Sequence, residues 1–478
     1  MSEEEILELE TPNPKPRKEV NPYLLVIFSF IVVILVGSLL LYLPIARIDK
    51  VWGNWEYYID CLFTAVSCTC VTGLSTLKTG LLGTYNFFGQ LVCMLMIMIG
   101  GLGFITVLSF FITLVRRKIK FSHKFLIAQA VGSTSFGGVI KFVRNIIIIH
   151  ASLEIIGAVL FFPVFRLTTD NLNLQIWRSI FHSVSTFNNA GFDIMGTTSL
   201  IRDGTSWASA LPSWAYYYLL AVTMLLIVMG GLSFLVYMDI LSFKRFRQYR
   251  VFTKIALLMT AILLVSGFTL IALFECTKQN NAMNVIEAMF QAVTTRTAGF
   301  AATDQSKMSV GGKIVTCVLM FIGGNPLSTA GGIKTTTIFL VALALFSYVT
   351  GRKINAFKRT YSESMVVKAM SLLAVSIVVI IICFGAISAI EANNDGVYQA
   401  LGVEAFDALF FECISAFGTV GLSQGITPDL VWGSKLFLMV LMFLGRLGPM
   451  TMFQVFQINM NKKSKLHYSY VEEDFLIG

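Results

Sequence analysis

Charge is scarce in this chain: only 13% of its 478 residues are Asp, Glu, Lys or Arg, against 56% that are hydrophobic. That ratio excludes two or three soluble domains, which would need long charged surfaces. Histidine is thin too, with four residues scattered far apart, so neither a metal cluster nor a catalytic dyad suggests itself. The eight cysteines (Cys61, Cys68, Cys70, Cys93, Cys276, Cys317, Cys383 and Cys413) lie in or beside apolar segments without zinc-ligand spacing, and read as small packing residues. No nucleophile and base recur with suitable spacing, which counts against an intramembrane enzyme. A small-residue cleavage site is also missing after the first apolar stretch, Tyr23 to Leu43. With its long core, that stretch reads as a retained helix rather than a signal peptide.

Apolar stretches of transmembrane length recur from Tyr23 to Gln457, each near or above the ~20 residues a helix needs to cross a hydrocarbon core. The net charge of +9 gathers in clusters. These are Arg116, Arg117, Lys118, Lys120 and Lys124; Lys244, Arg245, Arg247 and Arg250; Arg352, Lys353, Lys358 and Arg359; and Lys462, Lys463 and Lys465. The positive-inside rule places every cluster and both termini in the cytoplasm. Intervening loops are mixed or acidic, with Glu56, Asp60, Asp170, Asp203, Glu275, Glu391, Asp395, Glu404 and Asp407. No aromatic-basic stripe accompanies the charge, so nucleic acid is not an expected partner.

Successive basic clusters share one side, so the roughly one hundred residues between them cross an even number of times. Each such stretch reads as an apolar helix, a shorter amphipathic piece and another apolar helix. The short pieces align. They run Phe63-Thr-Ala-Val-Ser67 to Gly73-Leu, Phe181-His-Ser-Val-Ser185 to Gly191-Phe, Phe290-Gln-Ala-Val-Thr294 to Gly299-Phe, and Phe411-Glu-Cys-Ile-Ser415 to Gly421-Leu. A second echo follows each one: Gly100-Gly-Leu-Gly-Phe104, Gly230-Gly-Leu-Ser-Phe234, Gly323-Gly-Asn-Pro-Leu327 and Gly445-Arg-Leu-Gly-Pro449. A lone Gly pair signifies tight helix packing. In fourfold register with the first motif, that reading explains little.

The fold class that follows is an all-α integral membrane protein of four helix, pore loop, helix units in pseudo-fourfold arrangement. Eight spanning helices are expected at 22–44, 86–115, 140–165, 213–241, 252–276, 311–349 (interrupted), 366–391 and 433–458, with four re-entrant loops on the outer side. The units divide as a tail 1–21, repeats 22–120, 121–250 with a cytoplasmic linker, 251–355 with an intramembrane loop and 356–460, and a tail 461–478.

Non-helical backbone at membrane depth is tolerated only where protein buries it or water lines it, so four such segments converge naturally on one axis. Glycine lets the backbone turn carbonyls inward, and stacked carbonyls replace the hydration shell of an alkali cation. Each pore helix points its carboxyl end, the negative end of its dipole, at the membrane centre.

These motifs, covering nearly the whole chain, resemble the Trk/Ktr/HKT superfamily of cation transporters, and most the Ktr-type membrane subunit. The resemblance implies filter glycines at Gly73, Gly191, Gly299 and Gly421, with Val71, Thr72, Asn189, Ala190, Thr297, Ala298, Thr419 and Val420 beside them holding potassium. Four glycines go with potassium in that family, whereas Ser at the first goes with sodium in some plant members. The expected activity is potassium uptake across the plasma membrane; a sodium- or ammonium-permeable member of the same fold is the alternative. A coupled carrier for an organic solute would instead show two inverted halves. No cofactor is expected in this chain, with sodium held open as a coupling or activating ion in symport. The chain lacks the extra amino-terminal helix pair of Trk-type relatives, and Phe475-Leu-Ile-Gly478 looks like the family's buried tail, implying a homodimer. The resemblance also implies a cytosolic nucleotide-binding regulatory ring on the basic face, a prokaryotic cell membrane as the location, and membrane lipid as a further partner.

Two places depart from the repeat. Gly323-Gly324-Asn-Pro326-Leu-Ser328-Thr329-Ala330-Gly331-Gly332-Ile-Lys334 is too small and polar for an ordinary membrane helix, and Pro326 removes a backbone donor. It is a poor phosphate loop, because Lys334 follows Ile333 and no parallel sheet exists; a packing kink is the plain alternative. The resemblance implies a gating loop below the filter. Arg446 replaces the second Gly of the fourth unit, and a cation at that depth needs a cavity or a partner. It reads as a structural salt bridge or, as the resemblance implies, a charge that works with the loop. Glu287, Glu404, Glu412 and Asp407 lie near pore-helix starts, where the dipole favours carboxylates.

Overall fold

The computed structural model describes residues 22–49, 53–103, 139–196, 199–204, 206–242, 246–278, 282–392, 402 and 404–448. The amino-terminal tail, the clusters at 116–124 and 462–465, Lys244, Arg245 and the tail 475–478 lie outside the described residues.

Each unit opens with a long apolar helix: α1 (Pro22–Tyr42), α4 (Val139–Phe165), α8 (Val251–Glu275) and α12 (Glu363–Glu391). Their lipid-facing sides carry exposed Ile, Leu, Val and Phe, such as Ile155, Val265 and Ile382, which water would not tolerate in such density. The pore helices are α2 (Trp55–Cys70), α5 (Leu172–Phe187), α9 (Val285–Thr294) and α13 (Glu404–Gly418). At 16, 16, 10 and 15 residues and ~1.5 Å per residue they fall short of a ~30 Å core. Three of them start on an Asn. Asn54 accepts from Glu56 N, Asn171 from Asn173 N, and Asn284 forms a capping box with Glu287, satisfying amides that a helix start leaves bare.

The second helices are α3 (Phe87–Leu102), α6 (Ser213–Gly231), α10 (Val310–Phe321) and α14 (Trp432–Leu447). Here the structure interrupts the helices expected at 86–115, 213–241 and 433–458, of which 104–115 and 449–458 lie outside the described residues. Helix α3 stops before Gly103 (φ +75°), and α14 before Gly448 (φ +78°), a backbone region no α-helix uses. Helix α6 gives way to extended Leu232 and Ser233, and α7 (Phe234–Leu241) restarts on the Ser233 cap. The Phe234 amide, freed by that break, donates to the Leu327 carbonyl. The third unit is interrupted as expected, resuming at α11 (Thr335–Thr350).

The units close into a ring through one contact repeated four times. On α3, Gln90 accepts from Trp177 Nε1 of the next pore helix at 2.8 Å. Tyr217 on α6 accepts from Asn284 at 3.0 Å. Lys313 on α10 pairs with Asp407 at 2.6 Å, and Lys435 on α14 returns to Asp60 of the first unit at 2.9 Å. The chemistry differs at every joint, yet the place is constant: the start of a second helix meets the start of the following pore helix. Of the carboxylates read as dipole partners, Glu287, Glu404 and Asp407 do occupy first turns. Glu412 does not; it is mid-helix and buried, accepting from the hydroxyls of Ser423 and Thr427 and the Gln424 amide.

Candidate ion pathway

Every pore helix ends in the same irregular turn. The residue two before the glycine is left-handed in each unit: Val71 (φ 58°), Asn189 (φ 60°), Thr297 (φ 69°) and Thr419 (φ 51°). Three of these are β-branched, for which that region is a true outlier, costing on the order of 1–3 kcal/mol each. The glycines follow with φ of +101°, +68°, +77° and +93°. Strain repeated four times is held by hydrogen bonds on the outside of the turn. The amides of Thr72, Ala190, Ala298 and Val420 donate back to the carbonyls of Ser67, Ser185, Thr294 and Ser415 at 2.8 to 2.9 Å. The Gly73 and Gly421 amides donate to the Ser67 and Ser415 hydroxyls at 3.1 Å. With N–H groups committed to the helix behind them, the strand carbonyls are left for the other side. The hydroxyl-bearing residue of each motif is thus the clamp of the turn, a role its recurrence in the sequence signalled but did not define.

The four turns meet. A Cβ added to Gly73 would lie 2.6 Å from the Ala190 carbonyl oxygen, and one on Gly191 would lie 2.8 Å from that of Ala298. On Gly299 it would strike Val420 O, and on Gly421 it would strike Thr72 O, closer still. The chain of contacts runs from first unit to second, third, fourth and back to first, so four glycines encircle one axis. All four also line a single cavity of about 430 Å³, together with the loops that leave the four turns. The Thr72 and Thr419 hydroxyls are buried with no partner in the protein. Asn189 is different: its amide, turned to satisfy both ends, donates to Ile227 O and Thr186 O at 3.3 and 3.2 Å. Its side chain braces the turn, and only its backbone remains for the axis.

Comparison with known proteins identifies the family. The family model described as TrkH, cation transport protein, matches residues 9–468. This chain belongs to the TrkH family of cation transport proteins. It is 37% identical over 468 residues to the potassium/sodium uptake protein NtpJ of Enterococcus hirae, covering 97% of this chain and 98% of that one. It is 33% identical to the Ktr system potassium uptake protein B of Bacillus subtilis, over 92% of this chain and 93% of that one. Within the family the chain is of the Ktr membrane-subunit type. The potassium transporter TrkH of Vibrio parahaemolyticus superposes with a TM-score of 0.67 at 19% identity, covering 93% of this chain and 86% of that one, which speaks for the fold alone. The chain is therefore a multi-pass membrane protein of four pore-loop repeats.

Below the TrkH-family ring lies the segment 322–334. Its ends are pinned together, Gly323 N donating to Ile333 O at 2.8 Å and Thr335 N to Gly324 O at 3.2 Å. Asn325 spans to Gly231 O and Thr260, and accepts from the Thr335 hydroxyl at 2.6 Å. The tip reaches other units. Thr329 Oγ1 donates to Gly230 O at 2.9 Å and Phe187 O at 3.3 Å, and Gly332 N donates to Gly445 O at 3.2 Å. A side chain on Gly331 would collide with Thr419 of the fourth unit's left-handed turn. Ser328 folds onto Asn325 O, and Lys334 Nζ onto Ala330 O at 2.7 Å, so both close the loop on itself. Pinned ends and interunit bonds make this a folded loop rather than a simple kink.

Arg446 completes the tie. Its guanidinium donates to the carbonyls of Thr329 and Gly100, and reaches Gly101 O at 3.5 Å. The partners are carbonyls rather than the carboxylate a salt bridge would require; one cation joins the fourth unit to the loop and to the first unit. The tight-packing reading of the Gly pairs also holds in part. A Cβ on Gly100, Gly230 or Gly445 would strike the Thr69, Phe187 or Phe417 carbonyl at the end of its own unit's pore helix.

Proposed function

We propose that the chain takes up potassium across the cell membrane through a channel-like pore. The observation that carries this reading is the closed ring of four filter glycines, each within touching distance of the next turn's carbonyl. Such a ring offers backbone oxygens in place of a hydration shell, and needs no covalent chemistry. Pore helices α2, α5, α9 and α13 each end at the ring, adding the negative ends of four dipoles. The carbonyls of Val71 to Gly73, Asn189 to Gly191, Thr297 to Gly299 and Thr419 to Gly421 are the ion-binding groups. Gly323, Gly324, Ser328, Thr329, Ala330, Gly331, Gly332, Lys334 and Arg446 form the gate. Both termini face the cytoplasm of a prokaryotic cell, the protein works as a homodimer, and a cytosolic nucleotide-binding ring docks on its basic face. The name of the NtpJ relative, which covers potassium and sodium, supports a second reading in which sodium itself permeates.

Rubidium uptake in a potassium-auxotrophic cell, competed with sodium and measured with and without a regulatory subunit, tests both. Uptake that sodium fails to inhibit at tenfold excess, of about one order of magnitude, is the expected result. Equal competition favours the second reading, and no alkali uptake from a normally expressed protein rejects both.

The vestibule contributes charge. Asp193, in the loop leaving the second filter turn, lines the cavity and accepts from Met195 N at 3.1 Å. Burial pushes its carboxyl up to about 6, against the opposing bonds from Met195 and Ser199. It is anionic above that value and neutral below. Asp193→Asn is therefore expected to raise the half-saturating potassium concentration about threefold at external pH 7.5, where a charge is removed, and to change nothing near pH 5. An equal effect at both values would mean that the carboxylate charge does not attract the ion.

A further inference from the structure

Behind the second filter turn sits a cluster that the permeation reading does not use. His150 and Glu154 lie one turn apart on α4, 1% and 6% exposed, in a helix whose other faces meet lipid, α5 and α6. Both meet Asn188, the last residue before the left-handed turn at Asn189. Asn188 Nδ2 donates to Glu154 Oε1 at 2.7 Å and to Val184 O at 2.8 Å. Both of its amide hydrogens are thereby used, so its Oδ1 end accepts, and His150 Nε2 at 2.8 Å must be the donor. That leaves His150 Nδ1 facing Glu154 Oε1 at 3.4 Å. The Ser183 hydroxyl donates to the Glu154 carbonyl at 2.6 Å, fastening the same two helices. Phe187 stands edge-on to the imidazole, with ring centroids 5.0 Å apart.

The consequence is that every polar atom of the Asn188 side chain is fixed by partners outside its own turn. A residue forced into the left-handed region persists only where its surroundings over-determine it, and Asn188 is the hinge between α5 and that residue. The same side chain is seated on α3: a Cβ on Gly101 would overlap Asn188 Oδ1, and the adjacent Gly100 carbonyl accepts from Arg446. Among the described residues no other unit has this device. The residue three before the filter glycine is Cys70 in the first unit, Gly418 in the fourth, and in the third Arg296, which donates to Ile322 O at 2.6 Å.

We propose that His150 and Glu154 are positioning residues for the second filter turn, acting through Asn188 to set how strictly the ring at Gly191 discriminates potassium from smaller alkali cations. This rests on the filter reading above. A carbonyl ring selects by the number and placement of its oxygens, and a turn released on one side relaxes toward unstrained backbone and accommodates a smaller ion.

The test is rubidium and sodium flux into liposomes carrying the purified full chain, with thermal melting of each variant in parallel. His150→Phe and Asn188→Ala are each expected to lower the rubidium-to-sodium flux ratio about tenfold, and the double variant no further, because they break one linkage. His150→Gln, which keeps a donor for Asn188 Oδ1, is expected to recover most of the ratio. Should His150→Phe fail to assemble, His150→Asn, too short to reach Asn188, decides the same question. A folded variant with an unchanged ratio overturns the proposal. So does a lowered melting temperature with both fluxes reduced in proportion, the signature of a merely structural brace. Gly191→Ser separates this from the parent reading: if that variant also keeps the ratio, the filter assignment has failed rather than its support.

Discussion

Gly421→Ala is expected to cut potassium flux about a hundredfold, equivalent to roughly 3 kcal/mol, with the protein still present in the membrane. Two effects add at this position. The backbone has φ +93°, where an L side chain is strained whatever space it is given, and the new Cβ would overlap the Thr72 carbonyl oxygen of the first unit. That oxygen belongs to backbone clamped by the Ser67 carbonyl at 2.8 Å, so it cannot swing aside without breaking the turn. Gly73 is less confined, its added Cβ lying 2.6 Å from Ala190 O. Gly73→Ser, at a φ of +101° that strains a side chain equally, meets the smaller overlap and is expected to lose less flux than Gly421→Ala. Rubidium and sodium uptake at matched membrane abundance checks the pair. Unimpaired flux in both variants would contradict a ring whose members touch as found here.

Shortening Ser328 to Gly332 is expected to raise flux by about tenfold, because the bonds from Thr329 to Gly230 and Phe187, from Gly332 to Gly445 and from Arg446 to Thr329 disappear together, and a few bonds each worth ~1 kcal/mol are enough to hold a plug shut. Arg446→Gln keeps the loop but removes its charge-assisted donors, so a smaller increase is expected. If both act on one closed state, the combined variant matches the deletion alone. Single-turnover or liposome flux at equal protein density reads all three. Flux that stays at the wild-type level in a normally expressed deletion would remove the loop from the permeation path; additive increases would separate Arg446 from it.

The membrane class and the four units were legible in the chain because both depend on local pattern. Apolar length, basic clusters and the recurring Phe-x-x-x-Ser/Thr motif are features of neighbouring residues, and hydrocarbon forces each helix to satisfy its own backbone. The glycine that ends each motif was legible for the same reason. The second helices were misread because their apolar composition continues past the break: nothing in Leu232 or Ser233 forbids a helix, and the interruption is made by Leu327, whose carbonyl takes the Phe234 amide from another unit. Glu412 was misplaced similarly. Its distance from the helix start was small in sequence, but its partners are Ser423, Gln424 and Thr427 on the returning strand.

Taken alone, the sequence determined that this chain lies in a bilayer as four pore-loop units ending in glycine, since those properties follow from composition and short-range spacing. Only the tertiary structure decided which turn touches which, that Arg446 binds carbonyls 346 and 117 residues away, and that His150 and Glu154 reach the back of one filter turn. Such pairings are made by helices closing around an axis, and no local preference of either partner encodes the distance between them.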